Sequence, residues 1–170
     1  MATADSSARS SLFTFPDPVD EISARLVAGG VLLLSALALV TGWEWLIALI
    51  AAGFVARVLT GPTLSPLGQL VTRVIRPRVP VSPHYVPGPP KRFAQGMGAV
   101  MTVAAAVLAL GFGQHTAANV FLALIIVAAT LESVFAYCVG CKVFAVLMRV
   151  GVIPESVCER CNSFGSTART

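Results

Sequence analysis

The chain has 170 residues, a net charge of +4, and 56% hydrophobic against only 12% charged residues. That balance is too apolar for an ordinary soluble domain. In so apolar a chain Lys and Arg are first a matter of membrane topology. No nucleic-acid motif accompanies them, so nucleic acid is set aside as a partner and the lipid bilayer is expected instead.

Met1 to Leu12 is rich in Ser and Ala without apolar period, and residues 1–14 are expected to form a disordered tail. The run from Phe15 to Glu21 has the marks of a helix start: Asp17 as N-cap, Pro18 at the first helical position and Asp20 in an acidic first turn. A first span is expected over about 22–40. Ala36-Leu37-Ala38 resembles a signal-peptidase site, but three acids precede the apolar run and a second run follows at once, which argues against cleavage.

Gly42 suits a left-handed helix cap, and Trp43 and Trp45 suit an interfacial aromatic belt. The second span is expected over about 45–60, ended by Gly61-Pro62. Ser65-Pro66 then reads as an N-cap with a first-position proline. Leu67, Leu70, Val71, Val74 and Ile75 recur at helical spacing, with Gln69, Thr72, Arg73 and Arg76 opposite. This predicts an amphipathic interfacial helix over 65–76. Pro77 to Pro90 holds six prolines and reads as extended loop.

Lys91-Arg92 opens the third expected span, about 93–112, in which Gly96, Gly98, Ala99 and Ala104 to Ala106 offer room for close helix approach. Gly113 to Thr116 turns the chain into the fourth span, about 117–137. The fold expected is all-α: a polytopic membrane protein with a four-helix transmembrane bundle, the interfacial helix, and a cysteine-bearing C-terminal segment over 138–161. Residues 15–161 form one membrane domain, and residues 162–170 a flexible tail.

With four spans, the tail, the long loop and the C-terminus share one side. That side carries all twelve Lys and Arg residues, and the two opposite turns carry none. Cytoplasmic loops are enriched in these residues, so the chain is expected to be multi-pass in the cell membrane, with both termini cytoplasmic.

The chemistry-bearing residues are the four cysteines, Cys138-Val139-Gly140-Cys141 and, after sixteen residues, Cys158-Glu159-Arg160-Cys161. Cytoplasmic thiols are normally reduced, which argues against a permanent structural disulfide. Three readings stay open. In the first, Cys138 and Cys141 are a redox pair. A C-x-x-C pair can close within one turn, and a helix beginning near Cys141 after a break at Gly140, with Lys142 adjacent, would favour a thiolate.

In the second reading, Cys138, Cys141, Cys158 and Cys161 hold structural zinc, since their spacing falls within the range of four-cysteine sites. Lys142 to Ile153 looks helical and would hold the pairs apart, and it lacks the turns that bring zinc ligands together. In the third, the cysteines are small apolar packing residues.

Glu132 precedes Cys138 inside the fourth span. An intramembrane carboxylate needs a partner, so an ion pair with Arg57, Lys91 or Arg92 is the direct reading and a proton acceptor for thiol chemistry the other. Gln95 can hydrogen-bond across the bundle. His84 and His115 have no second ligand at metal spacing and read as solvated. No cofactor other than the alternative zinc is implied.

Taken together, Phe15 to Asp20, Ser65-Pro66-Leu67, Pro90 to Gln95, Leu131-Glu132 and Cys138 to Cys141 resemble a bacterial membrane family, domain of unknown function 4395. The resemblance covers roughly Phe15 to Cys161 and supports the architecture. It implies no established activity. Genomic association of such proteins with thioredoxin-like or sulfurtransferase proteins would fit a thiol role and a cytoplasmic partner of that kind. Two functions are therefore carried forward: a thiol-disulfide oxidoreductase-like membrane protein, or a non-enzymatic membrane scaffold or subunit whose cysteines bind zinc or pack.

Overall fold

The computed structural model describes residues 15–158; the expected tails at 1–14 and 162–170, and Cys161, lie outside them. The described chain is helical apart from one two-stranded pair, β1 (Val19–Asp20) and β2 (Tyr85–Val86), antiparallel with Val19 opposite Val86. Six α-helices follow in order: α1 Glu21–Thr41, α2 Glu44–Thr60, α3 Pro66–Gln69, α4 Gly88–Ala106, α5 His115–Phe135 and α6 Val139–Arg149. A π-helical segment (Leu70–Ile75) and a 3-10 turn (Arg76–Arg78) prolong α3, and a π-helical segment (Val107–Gly111) prolongs α4.

Among the described residues three helices are long and apolar enough to cross a membrane: Glu21–Thr41, Gly88–Gly111 and His115–Phe135. Helix α2, with 17 residues, is shorter. The most extensive packing is α1 on α5 and α2 on α4, with α4 also against α5 and α6. The core is built mainly of small and branched side chains. One cluster joins Ala38, Leu46, Ile47, Ala105, Ala118 and Leu122; another joins Val31, Ile50, Phe54, Ile125 and Ala129. Gly98 lets α4 approach α2, since a Cβ there would lie 2.3 Å from Phe54 Cε1.

The start of α1 corrects the sequence reading. Asp20, not Asp17, is the N-cap; its Oδ2 accepts from the Ser23 N–H and hydroxyl at 3.3 and 2.7 Å. Asp17 instead accepts from the Gly88 N–H at 3.1 Å and helps hold the start of α4. A residue three positions nearer the apolar run captures the free N–H groups of the first turn, and β-pairing keeps Val19 extended. Arg76 completes the arrangement, its Nε 2.6 Å from Asp20 Oδ2.

Burial alone would raise the Asp20 pKa, but the Ser23 and Arg76 hydrogen bonds and the Arg76 charge outweigh it and hold the carboxyl below its usual range. A depressed folded-state pKa contributes stability above the unfolded value of about 3.9, and that stability is lost as pH falls through the folded value. Asp20→Asn keeps the capping ability and removes the charge. The variant should unfold at lower temperature than wild type near pH 7, and the gap should close as the medium is acidified below about pH 4. Thermal unfolding at a series of pH values checks this; a gap that is constant with pH would refute it.

The loop from Pro77 to Pro90 is less extended than its prolines suggest. It carries β2, and α4 begins at Gly88, so Pro89 and Pro90 lie in the first turn, where no proline N–H is missed. Of the apolar stripe on the short third helix only Val71 is buried; Leu67 tucks over Gly30, and Leu70 and Val74 stay exposed. The histidines are exposed but not merely solvated. His84 Nδ1 lies 2.5 Å from Glu21 Oε2, and His115 Nδ1 lies 2.8 Å from Glu44 Oε1. Each is brought to its carboxylate by a chain crossing that spacing in sequence does not reveal.

Candidate functional site

The break that creates the site lies at the end of α5. Ala136 adopts the left-handed conformation (φ 55°), and both its N–H and that of Tyr137 donate to the Leu131 carbonyl. Arg25 of α1 reaches across to cap the same end, donating to the Ser133 carbonyl at 3.1 and 3.2 Å and to that of Val134 at 3.2 Å. A new helix then starts with Cys138 as its N-cap, the Sγ accepting from the Cys141 N–H at 3.3 Å.

Gly140 therefore does not break the helix, as its sequence context suggested. Its role is packing: a Cβ at Gly140 would lie 2.5 Å from Ala94 Cβ and 2.6 Å from Ala94 Cα. Only a residue without a side chain lets α6 rest on α4 this closely. Phe144, one turn on, packs against Phe93 with ring centroids 5.6 Å apart.

Cys138 and Cys141 are joined by a disulfide with alpha-carbons 5.2 Å apart, within the 4.4–6.8 Å that such bonds require. The two sulfurs have unlike surroundings. Cys138 is buried, whereas Cys141 is partly exposed. Lys142 stands beside them on the exposed face, its ammonium 5.6 Å from the centre of the Tyr137 ring. Cys158, in a 3-10 turn (Glu155–Cys158), is buried and is not a free thiol. The four-cysteine zinc set includes Cys161, outside the described residues. Among the described residues no group of three or more His, Cys, Asp or Glu could hold a metal.

Glu132 meets Lys91, the Nζ 2.8 Å from Oε1, with side chains 8% and 18% exposed. Arg57 lies one layer away: Nε donates to Gln95 Oε1 at 3.0 Å and Nη1 to the Ser65 hydroxyl at 3.1 Å, and its guanidinium stacks over Phe54 at 4.5 Å. Arg57 Nη2 is buried with no hydrogen-bond partner among the described residues. Arg92 points elsewhere, donating to the Val58 carbonyl. A pocket of about 350 Å³ is lined by Cys138, Glu132, Arg57 and Gln95, together with Phe54 and Met101.

Residues 19–149 match the family model described as Domain of unknown function (DUF4395). The chain belongs to this family. No curated protein and no solved structure matches it significantly. The DUF4395 stretch takes in α1 to α6 and with them Arg57, Lys91, Glu132, Cys138 and Cys141. Cys158 falls outside it. The family match thus covers the first cysteine pair and its polar neighbours.

The sequence singled out Cys138, Cys141, Glu132 and Gln95; the structure brings Cys138, Glu132 and Gln95 around one pocket, with Cys141 bonded to Cys138 outside its lining. Two contributions were not foreseen. Arg25 serves as the cap of a helix more than a hundred residues away, and the left-handed Ala136 starts the turn. Neither has a local signal, since Ala is not a residue that marks positive φ and the Arg25 partner is set by packing of α1 on α5.

Proposed function

We propose that the chain is a membrane-embedded thiol-disulfide exchange protein whose working pair is Cys138 and Cys141. One observation carries this: a closed disulfide at a helix N-terminus, with Cys141 partly exposed and Cys138 buried, lining a pocket that Glu132, Arg57 and Gln95 also line. Three membrane-length helices and the exposed Leu and Val residues around the bundle support the bilayer setting. Helix α2 makes the fourth span. The one-sided Lys and Arg then place both termini and the cysteine pair at the cytoplasmic face.

Thiol pools keep cytoplasmic cysteines reduced, so the pair cycles. In the oxidised state a thiolate of an aqueous dithiol partner attacks Cys141 Sγ. The Cys138–Cys141 bond breaks and Cys138 leaves as thiolate, favoured by the positive end of α6 and the Cys141 N–H. The partner's second thiol loses its proton and attacks the partner sulfur of the mixed disulfide, releasing Cys141. Two electrons and two protons pass from the partner, which becomes a disulfide, to the pair, which becomes two thiols. A thioredoxin-like protein, or a sulfurtransferase with a reactive cysteine, is the partner class that fits. Lys91 is the ion-pair partner of Glu132, which lines the same pocket as Cys138.

Alkylation under native conditions followed by peptide mass spectrometry tests the reading. After mild oxidant the Cys138 and Cys141 peptide should carry its own internal disulfide, and after reduction Cys141 should alkylate faster than Cys138. Thiols that react only after a chelator would favour zinc, and thiols silent until unfolding would favour inert packing; either result overturns the exchange reading. For orientation, single cysteines introduced at Gly42 or Gly113 in a background lacking the native four should label from outside intact cells. External labelling between Pro77 and Pro90 would reverse the topology.

A further inference from the structure

We infer that the pocket beside Cys138 binds a lipid-soluble quinone, which takes the electrons that the cysteine pair receives from its aqueous partner. The inference rests on the exchange reading above and names the second electron partner. Cys138 lines the pocket and Cys141, partly exposed, does not, so the pair can be approached from two sides. Aqueous thiols reach Cys141; the buried side of the pair opens onto the inside of the bundle.

The pocket's other walls fit such a ligand. Leu124 and Val127 line it and are 50% and 58% exposed on the outer face of α5, which places its mouth toward the hydrocarbon. An apolar molecule therefore enters from the bilayer, without crossing water. Its volume of about 350 Å³ lies at the small end of the range for compact ligand sites, about 300–1,000 Å³, and suits a single substituted ring with its tail left in lipid. Arg57 and Gln95 also line it, and the buried Arg57 Nη2 has no partner among the described residues. Quinone carbonyl oxygens are acceptors that such donors can hold. A ligand that is apolar in outline, accepts hydrogen bonds at its ring oxygens and accepts two electrons is a quinone.

The step balances. With the pair reduced, the Cys138 thiolate attacks the quinone ring and Cys141, losing its proton, attacks Cys138 Sγ. The S–S bond re-forms and the ring leaves with both electrons. Two protons, one from each thiol, complete the quinol. Glu132, which lines the same pocket as Cys138, takes the Cys138 proton and passes it to a ring oxygen.

The test uses the full chain in lipid nanodiscs, reduced and freed of reductant, then mixed with a short-chain benzoquinone or naphthoquinone. One quinol should form per protein, read by ultraviolet absorbance, with loss of the Cys138 and Cys141 thiols in the peptide map. Ala128→Phe, which puts a large side chain into the pocket lining, should slow quinol formation at least tenfold and leave oxidation by diamide unchanged. Thiols that diamide oxidises but quinone does not would overturn the quinone site and leave the exchange reading standing. Equal quinone rates in wild type and Ala128→Phe would also overturn the site. Thiols inert to both reagents would overturn both readings.

Discussion

Lys91→Leu should destabilise the folded protein by about 3 kcal/mol, the lower end of the about 3–5 kcal/mol expected when one member of a buried ion pair is removed. The reason is asymmetry. Glu132 sits on α5 with its side chain only 18% exposed, and Lys91 Nζ at 2.8 Å is its salt-bridge partner. Removing Lys91 leaves a carboxylate with little water and no direct counter-charge. Arg57 interacts with Glu132 electrostatically but donates its hydrogen bonds to Gln95 and Ser65, so it compensates only in part. Glu132→Gln should cost less than Glu132→Leu, because the amide keeps a hydrogen bond to Lys91. The double variant Lys91→Leu with Glu132→Leu should recover much of the loss, since a matched apolar pair carries no desolvated charge. Denaturation midpoints of the wild type and the four variants in one detergent check this. Strictly additive losses would mean that the two side chains do not interact.

Gly140→Ala should be the second large effect, about 1–3 kcal/mol by overpacking. The added methyl would meet both Cβ and Cα of Ala94 near 2.5 Å. Backbone atoms cannot rotate aside as a side-chain tip can, so α6 must lift from α4. That movement pulls the Cys138 N-cap off its pocket. Faster alkylation of reduced Cys138 should therefore accompany the lower unfolding temperature. Ala94→Gly added to Gly140→Ala removes one of the two clashing atoms and should restore part of both. An unshifted alkylation rate with lowered stability would show that the cysteine pair does not depend on this helix crossing.

Whether the pair is redox-competent in cells depends on whether the reduced and oxidised forms are both reached. The spacing of the bonded alpha-carbons, 5.2 Å, shows that closure needs no long movement of the chain. A C-x-x-C pair forms a short loop, and short loops lose little entropy on closing. The same argument favours bonding within the pair over bonding to a cysteine beyond α6.

Composition and apolar run lengths alone determined that the chain is helical and contains membrane-length segments, because a bilayer core leaves the backbone few other ways to satisfy its hydrogen bonds. Gly42 was legible as a left-handed cap and is one, with φ 68°. Ser65 was legible as an N-cap and accepts from the Gly68 N–H. The need of Glu132 for a cation was legible from the cost of burying a carboxylate. Which cation it took was not, because Arg57, Lys91 and Arg92 are equivalent in sequence. Tertiary packing chose Lys91 by burying it on the α4 face nearest α5, while Arg57 was drawn to Ser65 and Gln95 and Arg92 to the Val58 carbonyl. Tertiary structure also moved the break before the cysteines from Gly140 to Ala136. Gly140 was needed where two helices touch, and the chain end of α5 was turned by Ala136 and capped by Arg25 from a distant helix. Glycine marks both turns and close contacts, and only the neighbour at Ala94 tells which one this glycine serves.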